Sequence, residues 1–134
     1  MIQEEIIAVR NVLKSRRLRK TRRTYTVRDA ERGVMLRFMW DGAGLDSNGE
    51  LVLLEAELSP IQDWHIGLHV ARLPIMLSEG CQIRELAWVT QQHLLPALMR
   101  SSRSWHYFIS KASSLPLPKM SYWSRSGDRL FQES

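Results

Sequence analysis

Between Asp41 and Leu58 the chain spells out a hairpin whose returning arm is apolar on both sides and ends in carboxylates. Leu51 to Leu58 alternates so that Leu51, Leu53, Glu55 and Glu57 share one face of a strand, while Val52, Leu54, Ala56 and Leu58 share the other. Apolar residues on both faces predict a strand covered on both sides, the condition of a central strand in a layered α/β domain. Two neighbouring carboxylates on one face of such a strand are costly to bury unless a positive group neutralises them. A divalent metal ion is the most direct candidate.

The hairpin register decides whether Asp41 joins that pair. A two-residue Asn48-Gly49 turn sets Gly42 opposite Glu55 and turns Asp41 to the other face. A Ser47-Asn48-Gly49 loop, with Gly49 in the left-handed conformation, sets Asp41 opposite Glu55. A bulge at Gly42 or Gly44 is a third way to bring them together. Asp46, beside the turn, reads as a turn residue.

With 134 residues, 44% of them hydrophobic, the chain can bury a core without disulfides or structural metals. Its one cysteine, Cys81, excludes an intrachain disulfide framework and fits a reducing compartment. No apolar run reaches bilayer length, and Met1-Ile2-Gln3-Glu4-Glu5 lacks the basic-then-apolar order of a secretory signal. The expectation is a cytoplasmic protein with no membrane partner.

The positive charge is concentrated. Lys14, Arg16, Arg17, Arg19, Lys20, Arg22 and Arg23 put seven cations within ten residues, and the remainder of the chain is slightly acidic. Such a run suits sequence-independent contact with a phosphate backbone, and it equally describes a solvated arm.

Apolar positions Ile2, Ile6, Val9 and Leu13 predict a first helix over residues 2–14. Thr24–Val27 and Val34–Trp40 read as strands, Leu51–Leu58 as a third. Ser59-Pro60-Ile61-Gln62 reads as a capped helix start, with a helix running to about Ser78 and Gly80 as its stop. Pro74 predicts a kink or an early end. Its apolar positions, Ile61, Trp64, Leu68 and Ile75 with Ile66, Val70, Leu73 and Leu77, go almost all round and predict packing on several sides. Ile83–Thr90 should be a fourth strand parallel to the third, since a helix of this length between two strands is a crossover. Residues 91–103 read as another helix, with Trp105 and Phe108 expected in the core. The division expected is a domain over 1–110 containing the basic segment 14–23, followed by a C-terminal extension over 111–134, either a loosely held tail or a small added layer.

An α/β chain with a mixed central sheet, in the order helix, three strands, helix, strand, with an acid before a hairpin and a Glu-x-charged pair on its returning strand, resembles the PD-(D/E)xK nucleases of restriction-endonuclease-like fold. Asp41 matches the first acid of that pattern and Glu55 the second. The resemblance implies that Asp41 and Glu55 hold Mg²⁺, or Mn²⁺, which activates a water for attack on a phosphodiester. Glu57 stands where most members carry Lys, and Trp40 where they carry Pro. Glu57 shares the strand face of Glu55 and is thus a candidate ligand of a second metal or a general base.

His65, His69 and Arg72 follow at i, i+4 and i+7 on one helical face. They fit three readings: structural histidines, an active-site group in which His69 or Arg72 reaches the scissile phosphate, or a zinc-chelating histidine pair. The functional expectation is a Mg²⁺-dependent endonuclease acting on DNA. Its catalytic residues would be Asp41, Glu55, Glu57, His69 and Arg72, its metal ligands Asp41, Glu55 and Glu57, and a homodimer would cut both strands. The alternatives are a catalytically inactive nucleic-acid-binding or assembly subunit of the same fold, and a scaffold in which Arg37 or Arg72 satisfies the two glutamates.

Overall fold

The computed structural model describes residues 3–133. Met1, Ile2 and Ser134 lie outside them, and with Ile2 the first position of the expected helical stripe. The described residues form a mixed α/β fold with three α-helices and a six-stranded mixed sheet. In chain order the elements are α1 (Gln3–Ser15), β1 (Arg19–Lys20), β2 (Thr24–Asp29), β3 (Val34–Met39), β4 (Gly42–Leu45), β5 (Leu51–Glu57), α2 (Asp63–Ser78), β6 (Ile83–Gln91), a 3₁₀ turn (Gln92–Leu94), α3 (Leu95–Ala112), β7 (Lys119–Ser126) and β8 (Arg129–Glu133). The main sheet runs β1-β4-β5-β6-β7-β8, and β2 with β3 forms a separate antiparallel ribbon. Among the described residues no helix is long and apolar enough to cross a membrane.

β5 is covered on both faces, as its composition requires. Val52, Leu54 and Ala56 meet Ala8, Val9 and Val12 of α1 together with Ala87, Val89 and Trp123. On the other face Leu51 and Leu53 join Ile66, Val70, Leu73 and Met76 of α2, Leu98 of α3, and Tyr25 and Val27 of the ribbon. The α2 crossover makes β5 and β6 parallel, with Glu55 beside Trp88 and Glu57 beside Thr90. The Thr90 hydroxyl donates to the Glu57 carbonyl at 2.6 Å and ties the ends of the two strands together.

The β4–β5 hairpin takes the three-residue loop. Leu45 pairs with Leu51 and Gly42 with Leu54, and Gly49 holds φ +76°, the left-handed conformation that a side chain resists. Asp46 is the turn residue the sequence suggested: its Oδ1 accepts from the amides of Asn48 and Glu50, each at 2.9 Å. No bulge is needed at Gly42 or Gly44. These glycines serve packing instead, because a Cβ on Gly42 would stand 2.3 Å from Val9 Cγ1, so their lack of a side chain lets α1 lie against β4.

Several expectations change. The helix expected to start at Ser59 begins at Asp63, and Gln62 at its cap makes no side-chain capping bond. Ser59-Pro60 instead forms a bend, and the Asp63 carboxylate accepts from Ser101 of α3 at 2.6 Å. Pro74 does not end α2, which continues to Ser78. Trp64 and Leu68 are exposed, as is Phe108 of α3, so neither helix is enclosed all round. The residues expected as a C-terminal extension extend the main sheet: β7 pairs in parallel with β6, and β8 closes the edge antiparallel to β7. Tyr122 and Trp123 are buried on opposite faces, which shows that this segment belongs to the core.

Candidate active site at the carboxyl end of the central strand

Ligand sites in open α/β sheets gather beyond the carboxyl ends of parallel strands. Here that place is the end of β5, where the sheet delivers acids and α2 delivers histidines. Asp41, immediately before β4, lies in register with Glu55, since the ladder pairs Gly42 with Leu54. The two are tied reciprocally. The Asp41 amide donates to Glu55 Oε1 at 3.0 Å, and the Ala56 amide donates to Asp41 Oδ2 at 2.8 Å.

Glu55 also faces His69. Its Oε2 lies 2.8 Å from His69 Nε2, and both side chains are almost wholly enclosed. His69 Nδ1 lies 2.9 Å from the His65 carbonyl, one turn back along α2. A carbonyl only accepts, so the ring places a proton on Nδ1 and leaves Nε2 to share one with Glu55. The ring is held between Trp40 and Trp88, with centroid separations of 6.1 and 6.3 Å. Glu57, one pleat further along β5, has Oε1 3.2 Å from His65 Nε2. Ligand atoms of Glu57, His65 and His69 all lie within 4.8 Å of one another.

The electrostatics match a site short of positive charge. Burial, and then the neighbouring Glu55 charge, push Asp41 up to about 7. Glu55 is pushed up to about 7 by burial, and Glu57 to about 7 by burial followed by the charge of Glu55. Burial first holds both histidines below the ordinary value, joined at His65 by the charges of His69 and Arg72 and at His69 by the charge of Arg72, which outweigh the acids and, at His69, the hydrogen bond to the His65 carbonyl. Buried carboxylates and neutral imidazoles are the donor set a cation requires.

The pairing of the glutamates with arginine, a third sequence reading, is not what the fold contains. Arg37 lies in the ribbon opposite Thr26. Arg72 reaches the same end of the molecule but donates to the Met39 carbonyl at 3.1 Å, with its guanidinium 5.3 Å from the rings of both Phe38 and Trp40. It thereby braces the strand that leads into Asp41 and adds a positive field that favours ionised Glu55.

The basic segment is divided among several tasks. Lys14 closes α1. Arg16 makes two hydrogen bonds to the buried carboxylate of Glu85, one of them 2.9 Å from Nη2 to Oε1, and Ser121 donates to the same carboxylate. Arg17 takes a positive φ of 54° at the turn after α1. Arg19 and Lys20 form the exposed edge strand β1, and Arg22 lies over the Tyr25 ring at 5.0 Å. A cavity of about 370 Å³ is lined by Arg10, Lys20 and Arg23 together with Asp41 and Gly42. It brings cations of the segment to the first acid of the cluster. Arg10, outside the run, was not singled out from sequence; its position on α1 facing β4 becomes visible only once the glycines draw the helix in.

No protein-family model matches the chain, and no curated protein matches it in sequence.

Proposed function

We propose that the protein is a divalent-metal-dependent endonuclease that hydrolyses phosphodiester bonds in DNA, on a restriction-endonuclease-like core. The observation that carries this reading is the position of Asp41, which is tied to Glu55 at the end of β5 and also lines the cavity that holds Arg10, Lys20 and Arg23. Acids gather a cation there, and beside them bases can hold a polyanion.

The residues present fit a divalent ion. Asp41 commits one oxygen to the Ala56 amide, and Glu55 meets the Asp41 amide at one oxygen and His69 at the other; each carboxylate oxygen has two lone pairs, so one engaged contact does not exhaust it. Asp41, Glu55 and Glu57 would hold Mg²⁺ or Mn²⁺. When bound, the ion would polarise the phosphodiester and make a water acidic enough to serve as nucleophile. Arg10, Lys20 and Arg23 would neutralise backbone phosphates flanking the scissile bond, a contact that ignores base sequence. Glu57, at the less enclosed end of the strand, would take a proton from an attacking water, the role left open by the lack of a lysine there. Two copies acting as a homodimer would address both strands.

One observation favours a second reading, a non-catalytic DNA-binding subunit of the same fold. Glu55 is 2% exposed and engages Asp41 and His69 at its two oxygens. Supercoiled and linear DNA incubated with the purified protein and Mg²⁺ or Mn²⁺ separates the two. The endonuclease reading expects nicking and cutting that Asp41→Asn abolishes while its melting transition stays cooperative; Asn retains an oxygen for the Ala56 amide. Binding with no cleavage under either ion supports the second reading and overturns the first.

A further inference from the structure

We propose that Glu57, His65 and His69 form a binding site for a transition-metal ion, zinc foremost, that discriminates against magnesium. Glu57 belongs both to this set and to the magnesium set proposed above, so the two ions would compete for it; the inference concerns metal binding and does not rest on DNA cleavage.

Three ligand atoms from two elements already converge: all lie within 4.8 Å of one another. Zinc bonds of about 2.0–2.1 Å in a tetrahedral shell set neighbouring donors roughly 3.3 Å apart. The separation between His65 Nε2 and Glu57 Oε1 is 3.2 Å, so that edge of the shell has the required length. The helix supplies the spacing, since histidines at i and i+4 project from one face of α2. The strand supplies the carboxylate, and the bond from Thr90 to the Glu57 carbonyl fixes the backbone that carries it.

The surroundings of His69 are those of a metal-binding histidine. Its Nδ1–H is committed to a backbone carbonyl, which sets the ring orientation and directs Nε2 toward the cluster. Trp40 and Trp88 flank the ring and limit its rotation. Glu55, within 2.8 Å of Nε2, stands where it can supply a fourth donor or hold a bound water. The His65 side chain is 42% exposed, which opens a path from solvent to the interior ligands. Two imidazoles and one carboxylate match the His₂Glu donor set of zinc sites, whereas magnesium prefers an all-oxygen shell.

Cobalt(II) is the probe. The full chain, freed of metal, is titrated with Co²⁺ and read by visible absorption, with Zn²⁺ and Mg²⁺ as competitors. The expected result is one equivalent of Co²⁺ bound with the intense bands of a four- or five-coordinate, nitrogen-containing site, displaced by Zn²⁺ and untouched by excess Mg²⁺. His65→Gln and Glu57→Gln, whose side chains lie nearer the surface than His69, should each weaken Co²⁺ binding by at least ~10-fold, the scale set by losses of even outer-shell partners. Weak octahedral bands, displacement by Mg²⁺, or unchanged affinity in folded His65→Gln would each overturn the proposal. DNA cleavage in Mg²⁺ by a protein that fails this titration would leave the hydrolase reading standing alone; a positive titration without cleavage would do the reverse.

Discussion

His69 Nε2 and Glu55 Oε2 lie 2.8 Å apart in the interior, with the opposite ring nitrogen committed to the His65 carbonyl. One proton must therefore serve two groups, and its location couples the acids of β5 to the histidines of α2. That coupling gives the cluster a pH signature. An unfolded glutamate titrates near 4.3, whereas burial pushes Glu55 up to about 7 in the fold. Between those values the folded chain holds the proton more tightly than the unfolded one. The contribution of Glu55 is thus present below the unfolded value and is lost as pH rises through about 7. Glu55→Gln keeps an acceptor for the Asp41 amide and a donor for His69 without titrating. The melting temperature of Glu55→Gln relative to wild type, in metal-free buffer, should climb from pH 5 to pH 8. A gap that widens on acidification instead would contradict the assigned shift.

Arg16 tests a different buried charge. Burial would raise Glu85, but the hydrogen bonds from Arg16 and Ser121 prevail and hold its carboxyl below the usual value. Arg16→Ala leaves that carboxylate inside without its cation, a loss on the order of 3 kcal/mol. Denaturant unfolding should show the drop at pH 7 and a smaller one on acidification, as Glu85 takes up a proton. An unchanged midpoint at pH 7 would mean that Arg16 belongs to the solvated segment after all.

Gly42→Ala probes how α1 is seated. The added methyl would meet Val9 Cγ1 at 2.3 Å, and overpacking of this kind costs about 1–3 kcal/mol. The companion change Val9→Ala should recover part of the loss in the double variant, which thermal unfolding of the three proteins measures. Additive losses would show that the two residues do not share the contact.

Under the proposed function, the cavity beside Asp41 sets how binding to DNA should depend on salt. If Lys20 and Arg23 each meet one phosphate, either alanine variant should weaken binding alike for all sequences and lower the log–log salt slope by ~1. Fluorescence anisotropy across a salt series reads both quantities. Arg16→Ala, in contrast, should leave the slope unchanged, because its guanidinium is occupied by Glu85.

Much of the cluster was legible in the residues themselves. Alternation in Leu51–Leu58 gave the shared face of Glu55 and Glu57, and i, i+4 spacing gave the shared face of His65 and His69. The register of Asp41 was left among two loops and a bulge at Gly42 or Gly44; the left-handed Gly49 and the unbroken β4–β5 ladder select the three-residue loop. What the residues could not supply was the distance between α2 and the end of β5, which depends on the crossover. The C-terminal strands were missed because Ser and Pro at 113–118 mask the start of β7, whose pairing with β6 is non-local. The basic run hid its own division of labour, since the partner of Arg16 lies sixty-nine residues away. The helix start at Ser59 failed for a local reason: the chain bends at Ser59-Pro60 and enters α2 only after Gln62.

The central claim, that a cation gathered by these acids makes the protein a nuclease, is tested most directly by metal removal. DNA cleavage is followed in chelator, after restoration of Mn²⁺ or Mg²⁺, and with Glu57→Gln under the same conditions. The account predicts no cutting in chelator, recovery on adding the ion, and no recovery in folded Glu57→Gln. Cleavage that persists in chelator, or Glu57→Gln cutting at the wild-type rate, would contradict it.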